Sequence, residues 1–143
     1  MKLPSKLTFR IEQKVRWKEL DALNHVNNAQ YFSYFEDVRI VYMRELGYGS
    51  LDSHSEFGPI LANISCEFKS PLGYPDRLSI GCGISRLGNS SLVLDYDIFS
   101  HTQNKIVSTG RSVVVMVNYK SGKSVSIPEE VRNTIKEINP DLS

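Results

Sequence analysis

The segment from Trp17 to Arg39 decides the fold and reads W-K-E-L-D-A-L-N-H-V-N-N-A-Q-Y-F-S-Y-F-E-D-V-R. It begins with a carboxylate, continues through a polar loop and an asparagine pair, and ends in an amphipathic stretch. From about Asn28, large apolar residues recur at the spacing of one buried helical face. These residues are Tyr31, Phe35, Val38, Tyr42 and Leu46. The spacing predicts one long helix that covers the core.

The residues at the two ends of this helix also fit their positions. Asn27 is a good N-cap residue, and Gly47 is typical of the position that follows a helix, with Arg44 suited to the last turn. A helix start carries unpaired backbone N–H groups and a partial positive charge. Asp21 lies seven residues before Asn28, and the loop between them can bring its carboxylate beside that start. We expect a reactive site there.

Length and charge limit the possible classes of protein. A chain of 143 residues forms one domain, residues 1–143, with a proper core. A net charge of +1 gives no field that would by itself attract nucleic acid. We see no apolar leader and no run of membrane-spanning length, so a cytoplasmic protein is expected. Cys66 and Cys82 have no metal or redox spacing and are predicted to be buried reduced thiols.

The remainder of the chain alternates in the manner of strands and turns. Five strands are predicted, at about residues 6–17, 59–69, 77–86, 91–100 and 105–118. A turn-rich connection is predicted at residues 47–57, and a short terminal helix at about residues 128–138. One strand, one long helix and four further strands favour an α+β domain, with a five-stranded antiparallel sheet wrapped around the central helix.

Such a sheet leaves an edge strand whose backbone groups are unpaired. The apolar block Val113–Val117 has few charges or prolines around it. If this block forms the edge, pairing with a second copy of the chain would cover it. We therefore expect a homodimer or a homotetramer.

Asp21 allows two interpretations. Loop aspartates often accept hydrogen bonds from nearby backbone N–H groups and do nothing else. Beside a helix start, an ionised carboxylate can instead attack an acyl carbonyl or take a proton from water. His25 is either a general base or a brace for the loop. A Ser-His-Asp mechanism has little support because no Gly-x-Ser-x-Gly elbow is present, and the histidines lack metal-ligand spacing, so no metal is expected.

Residues 16–39, R-W-x-E-L-D-A-x-N-H-V-N-N-A-x-Y-x-x-Y-F-E-x-x-R, resemble the active-site segment of the hot-dog-fold acyl-CoA thioesterases, the 4-hydroxybenzoyl-CoA thioesterase-like family. The order of elements and the turn S-P-L-G-Y-P-D-R-L agree, and the resemblance covers residues 6–120. It implies that an acyl-CoA is hydrolysed to a free acid and coenzyme A. Asp21 would be the nucleophile or general base, and the backbone N–H groups of Asn28 and Ala29 would polarise the thioester carbonyl. The acyl group would lie in a cleft at a dimer interface.

The same resemblance suggests supporting roles for other residues. Asn24, His25 and Asn27 would hold the loop. Asn24 stands where the family commonly has Gly, and because Asn tolerates the left-handed region, we expect a positive φ there. Candidate substrate contacts, including cations for the phosphates of coenzyme A, are Tyr31, Lys69, Arg77, Arg86 and Arg111. No cofactor is expected, since coenzyme A is part of the substrate.

Two other functions remain open from the sequence. The alternative to an acyl-CoA thioesterase is a non-catalytic hot-dog module that binds an acyl group or coenzyme A without cleaving it. The intact combination of acid, loop and capped helix argues against that module. A dehydratase of the same fold would need a His and an acid on different elements, which His25 does not supply.

Overall fold

The computed structural model describes residues 3–47 and 56–142. The strands are β1 (Phe9–Lys14), β2 (Phe57–Phe68), β3 (Arg77–Leu87), β4 (Ser91–Ser100) and β5 (Lys105–Asn118). The helices are α1 (Asn28–Glu45) and α2 (Glu129–Ile138), with a single 3-10 turn at Trp17–Glu19. The predicted order of elements is confirmed. Most of the predicted connection at residues 47–57 lies outside the described residues.

The five strands form one antiparallel sheet in the order β1-β3-β4-β5-β2. Strands β3, β4 and β5 follow one another as hairpins, whereas β2 crosses to pair with β5 and β1 pairs with β3. The predicted sheet is confirmed, but the predicted edge is wrong. The block Val113–Val117 lies on β5, which is paired on both sides, with β4 and with β2. Strand β2 pairs with β5 and not with β3, the next strand in the chain, and so covers the block. The two edges are β1 and β2.

Helix α1 packs across one face of this sheet. Every residue of the predicted apolar stripe is buried, and the ring of Phe35 stacks on Tyr96 of β4 with 4.7 Å between centroids. Gly110 of β5 lies under the same ring, where a Cβ would come within 2.5 Å of Phe35. Glycine therefore lets the helix approach the sheet closely, and the result is the predicted α+β architecture, a hot-dog fold.

Both ends of α1 agree with the sequence. The Asn27 side chain accepts a hydrogen bond from the Ala29 N–H at 2.9 Å, and Gly47 follows the helix with a φ of 93°. Cys82 is buried and Cys66 half-buried, and both thiols are free. Within residues 3–47 and 56–142, none of the helices combines the length and the apolar character that crossing a membrane requires.

Candidate active site

The loop after β1 folds back on itself between Asp21 and Val26. The Asp21 N–H donates to the His25 carbonyl at 2.7 Å, and the Asn24 N–H donates to the Asp21 carbonyl at 3.1 Å. Asn24 has a φ of 62°, so the predicted left-handed conformation is confirmed. This one residue reverses the chain and brings His25 back beside Asp21.

We expect substitutions at Asn24 to separate backbone conformation from side-chain contacts. Asn24→Ala should cost roughly 1 kcal/mol of unfolding free energy, because alanine resists the left-handed region. Asn24→Gly should stay within about 0.5 kcal/mol of the parent, since glycine fits that region but adds entropy to the unfolded chain. Urea unfolding of the three proteins measures both differences. Equal stability of the alanine and glycine variants would contradict the argument.

The Asp21 carboxylate has two differently placed oxygens. Its Oδ1 accepts hydrogen bonds from the backbone N–H groups of Leu23 at 2.9 Å and His25 at 3.3 Å. Its Oδ2 has no hydrogen-bond partner among the described residues. One oxygen of Asp21 therefore braces the loop, and bracing the loop leaves the other oxygen without a partner there. His25 contributes to the brace through its backbone.

The loop is anchored to the body of the domain by four further hydrogen bonds. The Val26 N–H donates to the Leu72 carbonyl at 2.8 Å, and the Asn27 N–H to the Glu19 carbonyl at 2.9 Å. The Glu19 side chain in turn accepts from the Arg16 N–H at 2.8 Å and from the Tyr34 hydroxyl, also at 2.8 Å. Tyr34 is fully buried on α1. The Asp21 loop is thus tied to α1, the helix that begins directly after it.

The hydrogen bond from Tyr34 to Glu19 predicts that the stability of the fold depends on pH. Burial, with a smaller effect of the Glu19 carboxylate, raises the pKa of Tyr34 above its ordinary value. The unfolded chain releases the tyrosine proton at about pH 10 while the folded chain retains it, so stability falls as pH rises above that point. Tyr34→Phe removes the hydrogen bond and should cost about 1–2 kcal/mol at pH 8.

Because phenylalanine does not titrate, the stability difference between parent and Tyr34→Phe should shrink above pH 10. Urea unfolding at pH 8 and pH 11 measures it. A difference of the same size at both pH values would show that the buried hydroxyl does not stay protonated in the folded state.

The start of α1 lies in the same region. The Ala29 N–H is already bonded to the Asn27 cap, whereas no described residue accepts a hydrogen bond from the Asn28 N–H. No acidic side chain occupies the first turn of α1, so the partial positive charge of the helix start is not neutralised from within. Of the two predicted donors, Asn28 is therefore the one that is available to an oxyanion.

A cavity of about 280 Å³ brings these groups together. Its lining includes five of the predicted site residues. They are Asp21, His25, Asn28, Tyr31 and Lys69. The Phe68 ring closes one side, edge-on to Tyr31 with 4.9 Å between centroids. Burial raises the pKa of Tyr31 above its ordinary value.

The other predicted cations are elsewhere. The Arg77 guanidinium lies 3.3 Å from Nδ1 of His101, and Arg86 is exposed at the far end of β3. Arg111 forms an ion pair with Asp95, with 2.8 Å between Nε and Oδ1, and lines a second groove that it shares with Lys69. Only Lys69 among the predicted cations reaches the Asp21 cavity.

The structure also reveals a polar cluster that sequence reasoning missed. The Ser79 hydroxyl lies 2.9 Å from Nε2 of His101 and donates to the Glu12 carboxylate. A nucleophilic serine would need an acid on the opposite ring nitrogen of the histidine. Arg77 occupies that side, and Ser79 is fully buried. The cluster therefore links β1, β3 and the end of β4 without forming a catalytic triad. Its members are far apart along the chain, so no local pattern indicates it.

A five-stranded sheet wrapped around one long helix, with a carboxylate in the cavity at the start of that helix, is the architecture of a hot-dog protein. Comparison with known families agrees. Residues 15–135 match the thioesterase-like superfamily, and the chain belongs to that superfamily. No described cluster of His, Cys, Asp and Glu side chains is arranged to hold a metal ion.

Individual relatives extend over almost the whole chain. A putative esterase of Aquifex aeolicus is 30% identical, over 92% of this chain and 100% of that protein. The long-chain acyl-CoA thioesterase FadM of Escherichia coli is 23% identical, over 87% of this chain and 95% of that enzyme. The structure of a thioesterase from Thermus thermophilus, complexed with coenzyme A and Zn, has a TM-score of 0.78 at 28% identity and covers 91% of this chain and 98% of that one.

Proposed function

We propose that this protein is an acyl-CoA thioesterase that uses Asp21 as its catalytic carboxylate. One observation carries the proposal. Asp21, whose Oδ2 has no partner among the described residues, and Asn28, whose backbone N–H has none there either, line the same cavity. Membership of the thioesterase-like superfamily and the coenzyme A bound in the Thermus relative support the substrate class.

The geometry suits the charge that thioester cleavage develops. Attack on the carbonyl carbon moves negative charge onto its oxygen, and a fixed N–H donor stabilises that charge at little reorganisation cost. In this proposal the Asn28 N–H and the partial positive charge of the helix start receive the oxyanion. Tyr31, which also lines the cavity, carries a hydroxyl that is a neutral hydrogen-bond donor.

Two routes through Asp21 fit equally well. As a nucleophile, its Oδ2 bonds to the carbonyl carbon, the carbon–sulfur bond breaks, coenzyme A leaves as a thiolate, and water then hydrolyses the acyl-aspartate anhydride. As a general base, Asp21 takes a proton from a water molecule whose oxygen attacks the carbonyl carbon; the carbon–sulfur bond then breaks, coenzyme A leaves as a thiolate, and the proton returns from Asp21 to the sulfur or to water. Both routes give a free acid and coenzyme A.

The proposal includes a homodimer formed through β2. The two edges of the sheet differ in character: β1 carries the alternating charges Arg10, Glu12 and Lys14, which discourage pairing. Strand β2 has Glu67 as its only charge and exposes four large apolar side chains. These are Phe57, Ile60, Leu61 and Phe68. An edge of this kind favours pairing with the β2 strand of a second copy around a two-fold axis.

Such pairing would also complete the substrate cleft. In an antiparallel pair of identical strands, one end of β2 lies opposite the other end of the partner's β2. The Asp21 cavity lies at the Phe68 end, so it would face the partner's Phe57–Ile60 end. A smaller cavity of about 230 Å³, between α1 and Ile60 and Leu61, lies at that end, and its lining is part apolar and part charged. The acyl group would then be enclosed by both copies.

Release of free thiol from a panel of acyl-CoA substrates tests the proposal. The panel should include short-chain, long-chain and aromatic acyl groups, because the packing of the cleft sets which acyl group the protein prefers. We expect catalysed hydrolysis of at least one class. Tight binding of several acyl-CoAs without hydrolysis of any would favour the non-catalytic binding module instead.

A further inference from the structure

A wide groove lies on the face of the sheet that points away from α1. Its volume is about 700 Å³. Paired rows of β2, β4 and β5 form its floor, and the segment Pro4–Leu7 forms one wall. Tyr96 and Gly110 are also in the lining, but both lie against Phe35 of α1. Successive residues of a strand point to opposite faces, so the side chains next to them on β4 and β5 face away from the helix, into the groove.

The wall is held by a largely buried ion pair. Arg10 donates to Asp97 at 2.6 Å, and its other terminal nitrogen donates to the Leu7 carbonyl at 3.2 Å. The Ser5 hydroxyl donates to the same Asp97 carboxylate. Gly81 makes room for the pair, because a Cβ there would come within 2.5 Å of Arg10. Buried ion pairs add little net stability, and the structural effect of this one is to fix the segment that carries Lys6.

The charges that remain free in the groove are mainly positive. Asp97 is neutralised by Arg10, and Asp95 by Arg111. No described carboxylate lies within ion-pair distance of the amino groups of Lys6 and Lys69. Glu67 is the acid of the lining that has no cation among the described residues. It accepts a weak hydrogen bond from Thr109 at 3.4 Å.

Lys69 connects this groove to the reaction site. It lines both the 700 Å³ groove and the Asp21 cavity. Coenzyme A has a thioester at one end, a flexible pantetheine arm in the middle and a phosphorylated nucleotide at the other end. The Asp21 cavity, at about 280 Å³, is too small to hold the nucleotide together with the acyl group. The nucleotide must lie outside it, within reach of the arm.

We infer that the groove binds the 3′-phosphorylated ADP end of the acyl-CoA, with Lys6 and Lys69 facing its phosphates. This inference rests on the proposed thioesterase function and adds the position of the nucleotide. Lys6 is a contact that the sequence did not indicate. Arg77 and Arg86 are excluded, because they line neither cavity. Glu67 opposes the ligand by like charge, so it limits affinity.

Two substrates with the same acyl group test the inference. One is the acyl-CoA, and the other is the acyl thioester of N-acetylcysteamine, which lacks the nucleotide. The quantity measured is the ratio of kcat/KM for acyl-CoA to kcat/KM for the truncated thioester, because this ratio cancels damage to the reaction site. We expect Lys6→Met and Lys69→Met each to lower the ratio about 2- to 5-fold, the range of an exposed ion pair. Glu67→Gln should raise it.

Lys123→Met is the matched control, since Lys123 is exposed in the turn after β5 and away from the groove. Its ratio should equal that of the parent. The inference is overturned if Lys6→Met and Glu67→Gln both keep the parental ratio, as the control does, or if Glu67→Gln lowers the ratio. Raising the salt concentration should reduce the difference between parent and Lys6→Met.

Binding measurements distinguish failure of this inference from failure of the proposed function. If the parent cleaves neither substrate, the thioesterase proposal fails. Calorimetric titration with coenzyme A and with pantetheine then still tests the groove. Weaker binding of coenzyme A by Lys6→Met, with unchanged binding of pantetheine, would support the nucleotide site. Equal binding of coenzyme A by the parent and Lys6→Met would overturn it.

Discussion

The Asp21→Asn variant is expected to fold as the parent does and to hydrolyse acyl-CoA about 10²–10⁴ times more slowly, the usual effect of losing a positioned proton-transfer group. Asparagine keeps an oxygen that can accept the Leu23 and His25 N–H groups, so the loop should retain its shape. The negative charge is lost. Both a nucleophilic and a general-base role depend on that charge.

The effect should appear in kcat and hardly in KM. An interaction felt mainly in the transition state changes turnover while leaving ground-state binding nearly the same. Steady-state kinetics on the preferred acyl-CoA measures both constants. Thermal melting must accompany them, because an unfolded variant would also be inactive.

His25→Ala provides the comparison for this prediction. The backbone of His25 makes the hydrogen bonds that close the loop, and these survive the substitution. A smaller decrease in turnover than for Asp21→Asn is therefore expected. If Asp21→Asn is well folded and cleaves thioesters at the parental rate, Asp21 is not the catalytic residue and the site assignment is wrong.

The second large effect is expected at the β2 edge. Leu61→Lys places a charge on an apolar side chain that is 45% exposed in the single chain, so the fold should tolerate it. In a two-fold dimer the change occurs twice. If each substitution removes about 2 kcal/mol of association free energy, the dimer should dissociate on the order of 10³-fold more readily. Activity should fall with it, because the proposed cleft needs both copies.

Ile138→Lys is the matched control for Leu61→Lys. Ile138 is 49% exposed, but it lies on α2 and away from the β2 edge. Sedimentation velocity at micromolar concentration should show a dimer or tetramer for the parent and for Ile138→Lys, and a monomer for Leu61→Lys. A parent that sediments as a stable monomer would count against both the interface and the shared cleft.

The central helix and the fold of the Asp21 loop could be predicted from the sequence because their signals are local. The stripe from Tyr31 to Leu46 has the period of one helical face, and the polar loop places Asp21 within reach of the helix start. Asn24 is a residue type that accepts a positive φ, so even its backbone conformation could be stated in advance. Each of these predictions depends on residues close together in the chain.

The strand order depends on distant residues and could not be read in the same way. Val113–Val117 resembles an edge when only its composition is considered, yet β2 pairs with it after a long crossover. The N-terminal wall of the groove could not be predicted for the same reason, since Arg10 binds Asp97, which is 87 positions further along the chain. No local pattern specifies such pairings.

The N-cap of α1 determines which backbone N–H can serve as the oxyanion donor. An N-cap side chain accepts a hydrogen bond from the second or third N–H of the helix. With Asn27 as the cap of a helix that begins at Asn28, the Ala29 N–H is committed to that bond, which the structure has at 2.9 Å. The expectation that Ala29 also polarises the thioester is therefore not supported by its geometry. The Asn28 N–H is left as the donor on which the proposed oxyanion site depends.

The most direct measurement of that site is a crystal structure with a non-hydrolysable acyl-CoA analogue in which a methylene group replaces the sulfur. We predict that the analogue's carbonyl oxygen lies about 2.7–3.1 Å from the Asn28 nitrogen, the distance of an effective oxyanion donor. The carbonyl carbon should lie beside the Asp21 carboxylate, directly or across one water molecule. A carbonyl group bound away from the start of α1, with Asp21 touching neither it nor such a water, would contradict the proposed site.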